Sequence, residues 1–323
     1  VLRAGPSRWL NVPRVLRYTV VVRGGVDDLA PGDTSWASSV SPTAMAFAGT
    51  ASFDGVDVPI AGARTLRPHR AATFGDFDGD GRADPAVLDA ESGVWTIANI
   101  GTVATGMPGA MPAAADYDGD GKTDVAMFDA ATGTWRVVDQ FVLTHGDDGD
   151  IPMPADYDGD GRAEVMVYRP STGMWLRMHE GVTTFGAPGD VPVPADYDGD
   201  GRADLAVFRP ATAEWLVQSR VPEVWGSPGG VPVPADYDGD GVAELAVYEP
   251  ATGTLLIEGQ QPFFVGRPGG VPAGLDLDGD GAAEACVYAA STGTWTCHNL
   301  VTGRSVVVGV GRPGNVPAAG VAR

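Results

Sequence analysis

Six copies of one acidic loop, spaced 40 residues apart, constrain this chain more than any other feature. Asp-x-Asp-Gly-Asp-Gly begins at Asp76, Asp116, Asp156, Asp196, Asp236 and Asp276. Self-similarity at a fixed period of this length is the mark of one supersecondary unit used repeatedly. The match extends beyond the loop. A segment of the type Val191-Pro192-Val193-Pro194-Ala195 precedes it, and an apolar stretch such as Leu205-Ala206-Val207-Phe208 follows. Then comes a turn signal, as in Pro170-Ser171-Thr172-Gly173, followed by Trp95, Trp135, Trp175, Trp215 and Trp295, with Leu255 in the fifth copy. Each unit ends in Gly-x-x-Gly with Pro at the third place in all but the second, for example Gly186-Ala187-Pro188-Gly189. The 46 Gly and 26 Pro residues would otherwise suggest low complexity. At fixed repeat positions they are punctuation between short segments.

Pro and Gly recur too often to leave room for a helix, and the apolar stretches are short and rich in Val, Phe, Tyr and Trp, which favours strands. The stretch after each loop is apolar on both faces: Val165, Met166, Val167 and Tyr168 in one copy, Leu245, Ala246, Val247 and Tyr248 in another. Such a strand must be covered on both sides. Four short strands per unit at this period predict an all-β fold, a β-propeller of four-stranded blades. Residues 36 to 70 read as a degenerate blade, because Met45-Ala46-Phe47-Ala48 falls 40 residues before Pro85-Ala86-Val87-Leu88. Six intact repeats occupy 71 to 310, and 311 to 323 supply a closing strand expected to complete the N-terminal blade. Seven blades are therefore expected, with six or eight as alternatives. Residues 1 to 35, including a strand expected at Tyr18-Thr19-Val20-Val21-Val22, have no clear repeat partner.

The loops carry acids at relative positions 1, 3, 5 and 9. These are Asp76, Asp78, Asp80 and Asp84; Asp116, Asp118, Asp120 and Asp124; Asp156, Asp158, Asp160 and Glu164. The last three copies have Asp196, Asp198, Asp200 and Asp204; Asp236, Asp238, Asp240 and Glu244; Asp276, Asp278, Asp280 and Glu284. Alternating carboxylates on a turn pinned by Gly at positions 4 and 6 can converge on a hard cation. An EF-hand loop requires Glu at position 12, where this chain has Val87, Met127, Val167, Val207, Val247 or Val287. The pattern is instead that of a shorter calcium site joining two strands. Position 7 (Arg82, Lys122, Arg162, Arg202, Val242, Ala282) varies, as expected if it coordinates through its carbonyl. Calcium suits this donor set better than magnesium, which prefers a small octahedral shell with retained water. The loops hold 24 of the 42 acidic residues, and six Ca²⁺ would change the net charge from -21 to -9.

Asp-x-Asp-Gly-Asp-Gly-x-x-[Asp/Glu] followed by an apolar strand, repeated in register over about residues 71 to 310, resembles the FG-GAP or VCBS repeats. Those repeats build the β-propeller of integrin α subunits and of many secreted bacterial proteins. The elements that give the family its name are partly present, as in Phe74-Gly75 and Phe185-Gly186-Ala187-Pro188. The resemblance implies calcium between the first two strands of a blade, an extracellular or cell-surface setting, and a role in adhesion or ligand binding. Some proteins of this kind resemble fungal lectins that bind sugars between blades, so the resemblance also implies a lectin role without assigning it to residues.

The expected function is thus a secreted, non-catalytic binding or adhesion module for a glycan or extracellular protein. A net charge of -21 argues against nucleic acid or an anionic membrane as partner, and no apolar run is long enough to span a bilayer. The chain begins at Val1 without Met, as expected if a signal peptide has been cut off or was never included. The Trp series reads as cross-strand aromatic pairs, Trp175 against Tyr168 for instance, in preference to a ring of sugar platforms. The residue before the terminal Gly varies as Thr105, His145, Phe185, Trp225 and Val265. His145, Phe185 and Trp225 are candidate ligand contacts, and an edge residue half covered by the next blade is the equal alternative. No catalytic set is apparent, because His69, His145, His179 and His298 occupy unrelated repeat positions. A polysaccharide-active enzyme built from variable loops is one alternative. Another is a structural subunit that self-associates in a surface assembly. Pairing Tyr288 with Trp295 places Cys286 opposite Cys297, close enough for a disulfide unless a bulge at the turn shifts the register. Two buried free thiols are the other reading.

Overall fold

The structure is a computed structural model, and it describes residues 50–53, 56–59, 75–218, 220–266 and 269–318. It divides into two compact units, Val1–Pro68 and His69–Arg323. In the first, Thr50–Phe53 and Val56–Pro59 pair as an antiparallel hairpin. The strand expected at 18–22 and the Met45–Ala48 segment lie outside the described residues.

The second unit is a β-propeller of six four-stranded antiparallel blades. Blade 1 consists of Val316–Pro317, Ala86–Asp89, Val94–Ile97 and Gly101–Ala104. Blade 2 is Met111–Pro112, Ala126–Asp129, Thr134–Val137 and Phe141–Thr144. Blade 3 is Ile151–Pro152, Met166–Arg169, Met174–Arg177 and Gly181–Thr184. Blade 4 is Val191–Pro192, Ala206–Arg209, Glu214–Val217 and Glu223–Val224. Blade 5 is Val231–Pro232, Ala246–Glu249, Thr254–Ile257 and Phe263–Phe264. Blade 6 is Val271–Leu275, Glu284–Ala289, Thr294–His298 and Ser305–Gly309. In blades 2 to 6 the acidic loop joins the first strand to the second; in blade 1 it leads into the second strand, Ala86–Asp89, because the first strand comes from the C-terminal segment. No helix occurs among the described residues, so none there is long and apolar enough to cross a membrane.

The second strands explain why the fold is a ring. Their two faces bury against two different blades, as their double-sided apolarity requires. In blade 3, Tyr168 packs on Trp175 of its own sheet and against Val207 of blade 4, while Val167 packs on Phe128 and Trp135 of blade 2. The same wedge recurs at every seam. Met127 enters the core of blade 1, Val207 that of blade 3, Val247 that of blade 4 and Val287 that of blade 5. Val87 of blade 1 then packs with Tyr288 and Trp295 of blade 6, and the cycle closes. Burying a Val or Leu side chain stabilises by about 1.5–3 kcal/mol, so the six wedges are a substantial part of what holds the ring. The Trp residues of the repeat are fully buried. Phe128 and Trp135, Tyr168 and Trp175, and Phe208 and Trp215 have ring centroids 5.0, 5.0 and 5.1 Å apart, which bears out the cross-strand reading.

The expected seventh blade is corrected to six. Val316–Pro317 does not complete a sheet in the N-terminal unit. It pairs with Leu88 and Val87 of the first intact repeat, in the register that Ile151–Pro152 adopts with Tyr168 and Val167. The physical reason is visible in the sequence. That repeat has Ala71-Ala72 where the others have Val-Pro or its like, and the C-terminal Val316-Pro317 occupies the first-strand place beside Val87 and Leu88. Closure comes late because blade 6 carries a longer outer turn: Thr294 pairs with Gly309, whereas Thr134 pairs with Thr144.

Candidate metal centre

Each acidic loop is shaped first by its own backbone. In the second loop, the carboxylate of Asp116 at position 1 accepts from the N–H groups of Gly119 (2.7 Å) and Gly121 (2.8 Å). These glycines have φ of 72° and 87°, a left-handed conformation that side-chain-bearing residues avoid. Asp118 accepts from Asp120 N–H, and Asp120 from Lys122 N–H. Asp124 at position 9 accepts from Tyr117 N–H at 2.8 Å. One oxygen from each of Asp116, Asp118 and Asp124 lies within 4.8 Å of the others.

The same three positions converge in the first loop (Asp76, Asp78, Asp84) and the fourth (Asp196, Asp198, Asp204). The third and fifth loops, where Glu occupies position 9, bring in the position-5 acid too: Asp156, Asp158, Asp160 and Glu164, and Asp236, Asp238, Asp240 and Glu244. Asp80, Asp120 and Asp200 are not drawn into the clusters of their own loops. In the sixth loop, the Asn299 amide donates to both Asp278 (3.0 Å) and Glu284 (2.8 Å), so these two acids also point to one place.

Crowding of this kind is unfavourable for anions. Burial, followed by the neighbouring charges of Asp78, Asp76 and Asp80, pushes Asp84 up to about 6. Glu244 is pushed up to about 7 by burial and then by the aspartates at 238, 236 and 240. Asp124, Glu164 and Glu284 are raised for the same reasons, as are the position-1 acids Asp116 and Asp236. A cation would relieve the repulsion, and hard carboxylate oxygens are the donors a divalent ion of group 2 selects. The clusters therefore fit a metal ion.

The loops also form one continuous circuit, which sequence reasoning missed by assigning each loop to a single blade. The N–H at position 8 donates to the position-1 carbonyl of the preceding loop: Thr123 to Asp76, Ala163 to Asp116, Ala203 to Asp156, Ala243 to Asp196, Ala283 to Asp236, and Ala83 to Asp276, all at 2.6–2.7 Å. The position-7 side chain lies over the preceding loop's position-4 glycine. A β-carbon added at Gly119 would meet Arg162 Cγ at 3.0 Å. Lys122, Arg202 and Arg82 take the corresponding place over Gly79, Gly159 and Gly279, and Val242 and Ala282 over Gly199 and Gly239. A signal existed in the sequence: position 8 is Ala in five copies and Thr in the other.

The three candidate ligand contacts lie at blade seams. The indole N–H groups of Trp135, Trp175 and Trp215 donate to the carbonyls of His145, Phe185 and Trp225, which fixes the backbone there and sends each side chain toward the next blade. His145 Nε2 donates to the Leu176 carbonyl of blade 3 at 2.8 Å. Phe185 packs against the core shared by blades 3 and 4. Trp225 Nε1 donates to the Leu256 carbonyl of blade 5 at 3.3 Å. All three are half-buried. Trp225 borders a groove of about 290 Å³, shared with Val224, Gly226, Leu256, Gln260 and Pro262.

Cys286 and Cys297 form a disulfide, directly opposed in the sheet with their Cα atoms 4.0 Å apart. No bulge shifts the register, because the Ala289 to Thr294 turn is the same one used in the other blades. No protein-family model matches this sequence, and a search of curated proteins finds no match to it.

Proposed function

We propose that this chain is a calcium-binding β-propeller that works outside the cell as a non-catalytic binding module, with a glycan or extracellular protein as its ligand. The observation that carries the reading is the repeated convergence of three or four carboxylates within 4.8 Å in loops linked around a closed ring. Calcium is favoured over magnesium because several carboxylates with few competing partners suit a large, irregular oxygen shell. The disulfide supports an oxidising compartment, and the resemblance of the loops to FG-GAP or VCBS repeats supports the same setting. The Trp225 groove is the candidate ligand site, since an aromatic face beside amide and carbonyl groups suits a sugar ring or an extended peptide.

Two measurements test the reading separately. Metal analysis after dialysis against equal calcium and magnesium should find calcium bound in several equivalents; protein that leaves dialysis free of calcium would remove the metal assignment. A glycan array probed in calcium should show binding that Trp225→Ala abolishes. If signal persists unchanged in that variant, the ligand site lies elsewhere.

A further inference from the structure

The third loop is set apart from the others by one residue of its own blade. The fourth position of the third strand is Ile97, Val137, Val217, Ile257 and the disulfide-bonded Cys297 in five of the blades, all buried in the core. Blade 3 has Arg177 there. Its side chain is 16% exposed and its guanidinium enters the acidic loop of the same blade. Nη2 is 2.7 Å from Asp158 Oδ2 and 3.3 Å from Glu164 Oε2, and Nη1 is 2.8 Å from Glu180. Asp158 and Glu164 are the position-3 and position-9 acids, two of the four that converge in this loop.

We propose that Arg177 is a resident cation of the third loop, so that this loop binds calcium far more weakly than the other five. The inference rests on the calcium reading. A metal ion held by Asp158 and Glu164 would share its carboxylates with a guanidinium that cannot lose its proton. The fifth loop is the internal comparison. It has the same ligand types (Asp236, Asp238, Asp240, Glu244) and the same convergence, with Ile257 at the strand position. Uncharged amides approach the carboxylates of two other loops: Asn299 donates to Asp278 and Glu284 in the sixth, and Gln140 bonds Asp124 in the second. Arg220 of blade 4 donates to the Tyr197 carbonyl and to Glu258. Repulsion between a divalent ion and a unit charge a few ångströms away lowers affinity by about tenfold even at the dielectric of water, and by more in a half-buried site. The carboxylates of the third loop are thereby held together without metal.

The test is calcium stoichiometry by equilibrium dialysis and isothermal titration, on the intact protein and on Arg177→Val, which installs the residue of blades 2 and 4, with Arg177→Lys as the charge-retaining control. Thermal melts establish that both variants are folded. Five tight ions in the parent, six in Arg177→Val and five in Arg177→Lys are the expected result. Six tight ions in the parent would overturn the inference and leave the calcium reading intact. Five in the parent and still five in Arg177→Val would overturn it as well, as would six in Arg177→Lys. A parent that binds no calcium overturns both.

Discussion

Asp198→Asn isolates what the acid clusters do, because the effect should change sign with metal. Asp198 accepts a single hydrogen bond, from Asp200 N–H at 3.2 Å, and the amide oxygen of Asn can keep it. The substitution therefore removes a charge while the loop's backbone contacts stay. Asp198 lies within 4.8 Å of the carboxylate oxygens of Asp196 and Asp204. Each such pair repels by about 0.9 kcal/mol at the dielectric of water. Two pairs give about 1.7 kcal/mol, and physiological salt reduces this to about 1 kcal/mol. In EDTA the variant should thus be more stable than the parent by about 1 kcal/mol, or about 2–4 °C in melting temperature for a unit of this size. In calcium at about a hundred times the dissociation constant, a filled site contributes about 2.7 kcal/mol. Loss of that site outweighs the relieved repulsion, and the variant should melt about 3–7 °C below the parent. Differential scanning calorimetry in the two buffers reads both shifts. A shift of the same sign in EDTA and in calcium would refute the reasoning, since it would mean that the carboxylates neither repel one another nor share an ion.

The raised acids predict a pH dependence of the metal-free protein. Because Asp84 and Glu244 hold protons more tightly when folded, their contribution is full below the unfolded values of 3.8 and 4.5 and is lost as pH rises through about 6 and about 7. In EDTA the melting temperature should accordingly fall from about pH 5 to about pH 7.5, whereas the gain on adding calcium should grow over the same range; a flat profile in EDTA would contradict this. Deleting 316–323 removes the strand that pairs with Val87 and Leu88 and leaves an open sheet edge, so aggregation or loss of a single cooperative transition is expected by size-exclusion chromatography and calorimetry. A truncated protein as monomeric and stable as the parent would show that closure does not depend on this strand. Reduction of Cys286–Cys297, which spans a sequence separation of only 11, should cost no more than about 2–3 kcal/mol. Intact mass after alkylation of unfolded, unreduced protein should show no modified thiol, and two modified thiols would contradict the bridge.

The 40-residue period, the four strands, the acidic loops and the disulfide were legible in the sequence because each depends on local order. A strand apolar on both faces, a Gly-pinned turn and two cysteines equidistant from a shared turn need only the chain near them to be recognised. The expected register of Tyr168 with Trp175 and of Cys286 with Cys297 is the observed one. Blade number was different in kind. Whether Val316–Pro317 joins the N-terminal segment or the first intact repeat depends on which sheet lacks a strand when the ring closes, and that is a property of the whole circuit. The same holds for the position-8 hydrogen bonds, since donor and acceptor are 47 residues apart in five pairs and 193 apart in the closing pair, Ala83 to Asp276, and meet only because neighbouring blades are wedged together. The placement of Arg177 combines both levels. Its break in an apolar column could be read from the sequence, but the partners that tolerate a charge there, Asp158 and Glu164, become neighbours only when the third strand folds back beside the loop that precedes the second. Side-chain pattern determines which segments pair locally; burial and charge around the closed ring decide what those segments meet.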